Sequence, residues 1–144
     1  MKPVVIEEYV ERGLVRFVSR HFAFLGPESI RAAEAAECAG EQGGFEDYSR
    51  LVLANQRANR NGGGFADTKL MALARFAGFD TNVFESCLVD GKYAANVQQD
   101  VADAHELGVR GTPSVFINGE FVSPADVETV RAALDRALAV SGGG

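Results

Sequence analysis

The sequence predicts an α/β protein in which a helical block interrupts a small α/β unit. Three observations predict it. Apolar side chains recur at helical spacing through five successive segments between residues 28 and 107. A strand, a tight turn, a second strand and a helix follow that block, and a β-rich run precedes it. A strand pair placed after a long helical block implies a helical insertion inside an α/β unit.

The elements follow in order. Residues 3–12 place Val5, Ile6, Tyr9 and Val10 on one helical face, and Gly13 stands at the C′ position that ends the helix. This helix has no N-terminal cap of its own. LVRFVSRHF (14–22) is β-rich and predicts a short strand with Val15 and Phe17 on one side. Gly26 and Pro27 restart a helix, Pro27 suiting the first helical position because that amide needs no partner. Over 28–41, Ala32, Ala35, Ala36 and Ala39 form a stripe that permits close helix–helix approach. FEDYSRLVLANQ (45–56) spaces Phe45, Tyr48 and Val52 helically, and NRNGGG (59–64) is a flexible loop. DTKLMALARFAG (67–78) predicts a helix from an Asp67 cap to a terminal glycine. DTNVFESCLVDG (80–91) repeats that grammar, turning Phe84, Cys87 and Leu88 inward. Residues 92–107 form a longer helix through Tyr93, Val97, Val101 and Ala104, stopped by Gly108. SVFI (114–117) is a strand, Asn118-Gly119 a type I′ hairpin turn, and EFV the antiparallel return. Ser123 then caps a helix with Pro124 at its first position and Asp126 behind it, and Val127, Val130, Leu134 and Leu138 line one face.

Composition bounds the function. A chain of 144 residues predicts one domain able to bury a core without metals or many disulfides. With 47% hydrophobic and 24% charged residues it is neither a disordered tail nor a fibre. Its 14 Lys+Arg against 20 Asp+Glu leave a net charge of −6, so no cationic surplus exists to bind nucleic acid or an anionic membrane. No apolar run approaches the roughly 18 residues of a membrane span. Residues 1–13 lack the apolar stretch of a signal peptide, so the chain as written is expected in the cytoplasm.

The small motifs are mostly silent. Two cysteines, Cys38 and Cys87, stand 49 positions apart, and no CxxC is present. His21 is expected to end a strand and His105 to sit late in a helix, with no further ligand at metal spacing, so neither a metal nor a cofactor is expected. Glu7, Glu8 and Glu11 are expected to cover a solvated helix face. Asn61-Gly62-Gly63-Gly64 lacks the Lys-Ser/Thr and the preceding strand of a phosphate loop.

GVRGTPSVFINGEFVSPADVETVRAAL (108–134) resembles the C-terminal half of a thioredoxin fold, with Gly-Thr-Pro-Ser in the place of its cis-proline loop. RAAEAAECAGEQGGFEDYSRLVLANQ (31–56) and ESCLVDGKYAANVQQDVADAHELGVRGTP (85–113) are similar to the helical insertion of bacterial DsbA-like thiol–disulfide oxidoreductases and its continuation. The resemblance runs from about residue 3 to residue 140. It implies a thioredoxin-like fold with an inserted helical domain: a remnant of the N-terminal half at 1–25, the insertion at 26–91 and the C-terminal half at 92–144. It also implies that a strand, the CxxC segment and the first turns of a helix precede the stretch matching 3–12. On that ground the chain is expected to be an N-terminally truncated form, missing the first strand and the CxxC segment of a longer, extracytoplasmic protein.

The resemblance also assigns residues. Gly111, Thr112 and Pro113 correspond to the loop whose backbone, at the residue before the cis-proline, takes an extended substrate as an added strand. The alternative is an ordinary turn proline. Some DsbA-like proteins pair cysteines at places similar to Cys38 and Cys87; such a bridge closes a 49-residue loop and stabilises by about 4 kcal/mol. Two separate buried thiols are the alternative. No catalytic residue is assigned, because the thiolate is the attacking group in exchange and no CxxC supplies one.

Three functions follow as expectations. The family activity is thiol–disulfide exchange, expected to be silent in this chain alone. A non-catalytic module holding extended or unfolded peptides is the second reading, and a fragment without function the third. Loss of the central strand is expected either to draw 14–20 against 114–117 in a three-stranded sheet or to pair two chains. An intertwined or face-to-face homodimer is the expected outcome.

Overall fold

The computed structural model describes residues 2–56, 61–124 and 126–141. In chain order its elements are α1 (Lys2–Val5), which runs on as a π-helical turn (Ile6–Val10), α2 (Pro27–Gly40), α3 (Phe45–Ala54), α4 (Asp67–Phe76), α5 (Thr81–Val89), α6 (Ala94–Glu106), β1 (Val115–Ile117), β2 (Glu120–Val122) and α7 (Val127–Ser141). They divide into two compact units, one built from residues 1–20 and 109–144, the other from 21–108.

In the first unit a hairpin packs on α7. β1 and β2 pair antiparallel with Val115 opposite Val122 and Ile117 opposite Glu120. Asn118 and Gly119 both take positive φ, 50° and 88°, as a type I′ turn requires. Val130 and Leu134 of α7 form a core with Val5 and Tyr9, and Ile117, Val122, Val15 and Leu138 pack against it. The helix at the N-terminus is therefore amphipathic as its spacing implies, but it widens at Ile6. The Glu11 N–H bonds to the Ile6 carbonyl at 2.9 Å, and Gly13 closes the end with φ 70°.

The second unit centres on α2, which packs against α3, α4, α5 and α6. Its core joins Ala35, Ala36 and Ala39 to Tyr48, Leu70, Ala74, Phe84 and Leu88. The alanine stripe lets these helices approach closely, and Tyr48 donates its hydroxyl to the Leu70 carbonyl at 2.9 Å. Gly26 has φ 109°, and a Cβ there would stand 2.4 Å from Asn61 Nδ2, so both backbone and neighbour demand glycine. The Asp80 carboxylate caps α5 by accepting from the N–H groups of Asn82 and Val83.

Three expectations need correction. Residues 14–22 form no strand: β-rich composition does not make a ladder without a neighbour, and the sheet holds β1 and β2 alone among the described residues. The three-stranded arrangement is accordingly not formed. Asp67 does not cap α4; it is the first helical residue, and its carboxylate is drawn instead to Arg31. Ser123 does not cap α7, because Asp126 accepts from the Thr129 N–H at 2.7 Å and its hydroxyl at 2.9 Å, nearer the helix start. The two compact units meet in sequence at 20/21 and 108/109, and Val97 and Val101 of α6 pack with Ala23, Ile30 and Ala33. Of the loop expected at 59–64, residues 59 and 60 lie outside the described residues. The rest is tied down, with Asn61 Nδ2 donating to the Leu25 carbonyl at 3.0 Å.

The charged pairs predict a pH profile. Arg131 holds Glu8, Lys92 holds Glu41, Arg31 holds Asp67 and the Thr129 N–H holds Asp126 below their ordinary values of 4.5 for Glu and 3.8 for Asp. The unfolded chain therefore takes up protons first as the pH falls through those values, and stability is lost on the acid side. Tyr93 is pushed the other way, to about 12, by donating to Glu41 and by burial. Its contribution is complete below pH 10 and is lost as the pH rises towards 12. Urea midpoints measured from pH 3 upward test both limbs; a midpoint that rises on acidification below 4.5 contradicts the assignment.

Candidate functional site

The candidate site is the loop that leads into β1. The Thr112–Pro113 peptide bond is cis. Both residues are exposed, while Ser114 turns inward and donates its hydroxyl to the Gly111 carbonyl at 2.7 Å, bracing the loop across its base. An added Cβ at Gly111 would meet nothing within 4 Å, so the approach to the loop is open. β1 begins two residues beyond Pro113. One of its edges pairs with β2, and the other pairs with no strand among the described residues. An exposed backbone run beside an open strand edge can accept an extended polypeptide by main-chain hydrogen bonding.

Charged contacts behind the hairpin hold α7 to the N-terminal helix. Arg131 donates to Glu8 through both Nε, at 2.8 Å, and Nη2, and through Nη1 to Glu128 at 2.6 Å. Tyr9 donates its hydroxyl to Asp135 at 2.9 Å, and burial followed by that bond pushes its pKa up. Glu8 is thus more than part of a solvated acidic face, a correction that follows from Arg131 lying 123 positions away.

In the helical unit the structure joins Cys38 of α2 to Cys87 of α5 as a disulfide, with Cα atoms 5.8 Å apart. The two are 1% and 4% exposed, against Tyr48, Leu70, Phe84 and Leu88. No cysteine is left free. A buried disulfide presents neither a thiolate nor an accessible sulfur for attack.

Other polar groups of that unit are also paired. Arg31 donates to both carboxylate oxygens of Asp67, to Glu34 and to the Leu88 carbonyl, fastening α2 to α4 and α5. His21 Nε2 lies 2.8 Å from Glu37 Oε1, and the His21 N–H donates to Asp100 at 2.9 Å. His21 ends no strand; it anchors the entry to the helical unit. His105 meets the Phe22 ring edge-on at 5.2 Å. The Gly63 and Phe65 amides donate to Glu28, so a carboxylate already occupies the place a phosphate would take. Among the described residues no group of three or more His, Cys, Asp or Glu could hold a metal ion, and no helix is long and apolar enough to cross a membrane.

Long-range pairs are what sequence reasoning missed. Arg31 and Glu34 stand one helical turn apart and were legible as neighbours, whereas Asp67 lies 36 positions from Arg31 and carries no local signal of that contact.

A helical block set into a unit with a hairpin, a helix behind it and a cis-proline before its first strand defines the thioredoxin-like class. A sequence model of the family described as Thioredoxin matches residues 2–136, and the chain belongs to that family. Within it the chain is a DsbA-like member. It is 27% identical over 139 residues to disulfide bond formation protein D of Bacillus cereus, covering 94% of this chain and 64% of that protein. A protein-disulfide oxidoreductase of Rickettsia conorii is 24% identical, covering 94% and 49%. The Na(+)/H(+) antiporter NhaA 3 of Salinispora tropica is 36% identical over 141 residues, covering 96% of this chain and 21% of the antiporter. The chain thus spans from about a fifth to about two thirds of the length of these relatives.

Proposed function

We propose that this chain is the polypeptide-holding part of a DsbA-like protein disulfide oxidoreductase. By itself it does not turn over disulfides, and it takes an extended substrate along Gly111, Thr112 and Pro113. The observation that carries the reading is the exposed Thr112–Pro113 loop entering a strand whose second edge pairs with no strand among the described residues. The names of the Bacillus and Rickettsia relatives support disulfide chemistry on the substrate. The buried Cys38–Cys87 bridge supports an oxidising, extracytoplasmic compartment, where structural disulfides persist. Exchange itself needs a thiolate, and both cysteines of these 144 residues are already spent.

Insulin-reduction and dithiothreitol-oxidation rates for the purified chain are expected at background. Turnover that disappears in Cys38→Ser contradicts the structural assignment of that bridge. Binding of an unfolded, cysteine-free polypeptide, followed by fluorescence anisotropy, is expected to weaken roughly tenfold in Thr112→Pro, which deletes one backbone donor. Unchanged binding in that variant would sink the loop as the holding site.

The same open edge can take a second copy of the chain, and Leu14, Phe17, Val18 and Phe121 expose apolar surface in the same unit. A homodimer is the expected state by light scattering at micromolar concentration. A monomer with a cooperative melt contradicts it.

A further inference from the structure

The chain contains two Asn-Gly pairs, Asn61-Gly62 and Asn118-Gly119. Glycine after asparagine leaves the next peptide nitrogen unobstructed by a Cβ, so that nitrogen can reach the asparagine side chain. The structure treats the two pairs differently. Asn61 is held at both ends of its amide: Nδ2 donates to the Leu25 carbonyl at 3.0 Å and Oδ1 accepts from the Glu28 N–H at 3.3 Å. It also lies against Gly26, within 2.4 Å of where a Cβ would stand. The Asn118 side chain has no hydrogen-bond partner among the described residues. Asn118 and Gly119 are both exposed at the tip of the hairpin, and an added Cβ at Gly119 would meet nothing within 4 Å.

We infer that Asn118 is a self-modification site, at which the chain converts asparagine to aspartate and iso-aspartate. The Gly119 nitrogen attacks Asn118 Cγ. The new N–Cγ bond forms, the Cγ–Nδ2 bond breaks, and ammonia leaves with the proton lost from the Gly119 nitrogen. Water then opens the cyclic imide at either carbonyl, giving aspartate or iso-aspartate, and nothing is oxidised or reduced. Asn61 is protected because its amide must first break two hydrogen bonds to rotate into line.

The position gives the reaction a consequence. A two-residue turn sets the register that places Val115 opposite Val122, and iso-aspartate adds a methylene to the backbone of that turn. It also adds a negative charge beside Glu120. The product loosens the hairpin whose first strand follows Pro113.

The test is peptide mapping by mass spectrometry after the full chain has been held in mildly alkaline buffer, native or in concentrated urea. In the native chain, acid forms are expected at Asn118 roughly tenfold faster than at Asn61, the effect of losing about two hydrogen bonds. In urea the two rates are expected to converge. Equal rates in the native chain overturn the inference, as does a difference that persists in urea, which would assign the selectivity to local sequence. Asn118→Gln, which lengthens the side chain and slows cyclisation, is expected to abolish the acid form at the hairpin and leave the Asn61 rate unchanged; an unchanged yield of acid form at position 118 also overturns it.

Discussion

Breaking the Cys38–Cys87 disulfide is expected to lower the stability of the helical unit by about 4 kcal/mol, the chain-entropy value for a 49-residue loop. The bridge ties α2 to α5 inside the core that also holds Tyr48, Phe84 and Leu88, so its loss frees the longest internal segment of that unit. Against a typical domain stability of about 5–15 kcal/mol, this is a large share. The double variant Cys38→Ala, Cys87→Ala measures it by urea titration. Coincident midpoints for the variant and the oxidised chain would show that the bridge closes a loop already ordered in the unfolded state. Reductant added to the native protein is expected to act slowly, because both sulfurs are shielded until the unit opens.

Replacing Arg31 with methionine is expected to cost about 2–4 kcal/mol. Glu34 is only 5% exposed, and Arg31 is the cation that compensates it. Removing the guanidinium leaves a buried carboxylate unpaired and also releases Asp67 and the Leu88 carbonyl. Arg31 is itself partly exposed, which screens the pair and keeps the cost below that of a fully buried one. The second substitution Glu34→Gln in the same chain is expected to recover much of the loss, since a neutral amide is cheaper to bury than an unpaired charge. A double-mutant cycle read by urea denaturation checks the coupling, and additive losses would mean that Arg31 acts through packing alone.

Helical spacing was informative wherever one face met one core. Phe84, Cys87 and Leu88 turn inward from α5, and Val130, Leu134 and Leu138 gather on α7, as their periodicity implied. The hairpin was equally legible, because Asn-Gly favours the positive φ angles that a type I′ turn requires. Caps were legible only in part. Asp80 caps α5, but Asp67 has a stronger partner in Arg31, and Asp126 displaces Ser123. A local motif competes with every other group that the fold brings near, and a charge outbids a cap.

The candidate site divides along the same line. The absence of CxxC and the Gly-Thr-Pro-Ser run before a strand are properties of residue order, and they bound the chemistry before any coordinate is known. The bridging of two cysteines 49 positions apart depends on how α2 and α5 pack.

The sequence by itself determined the helices, the turn and the family, because these rest on contacts a few residues apart and on motif order. Only the tertiary structure decided that 14–22 forms no strand, that α6 joins the helical unit, and that Arg131 closes on Glu8. Strand pairing, unit boundaries and ion pairs form between distant segments, so their energies depend on proximity that no local pattern encodes.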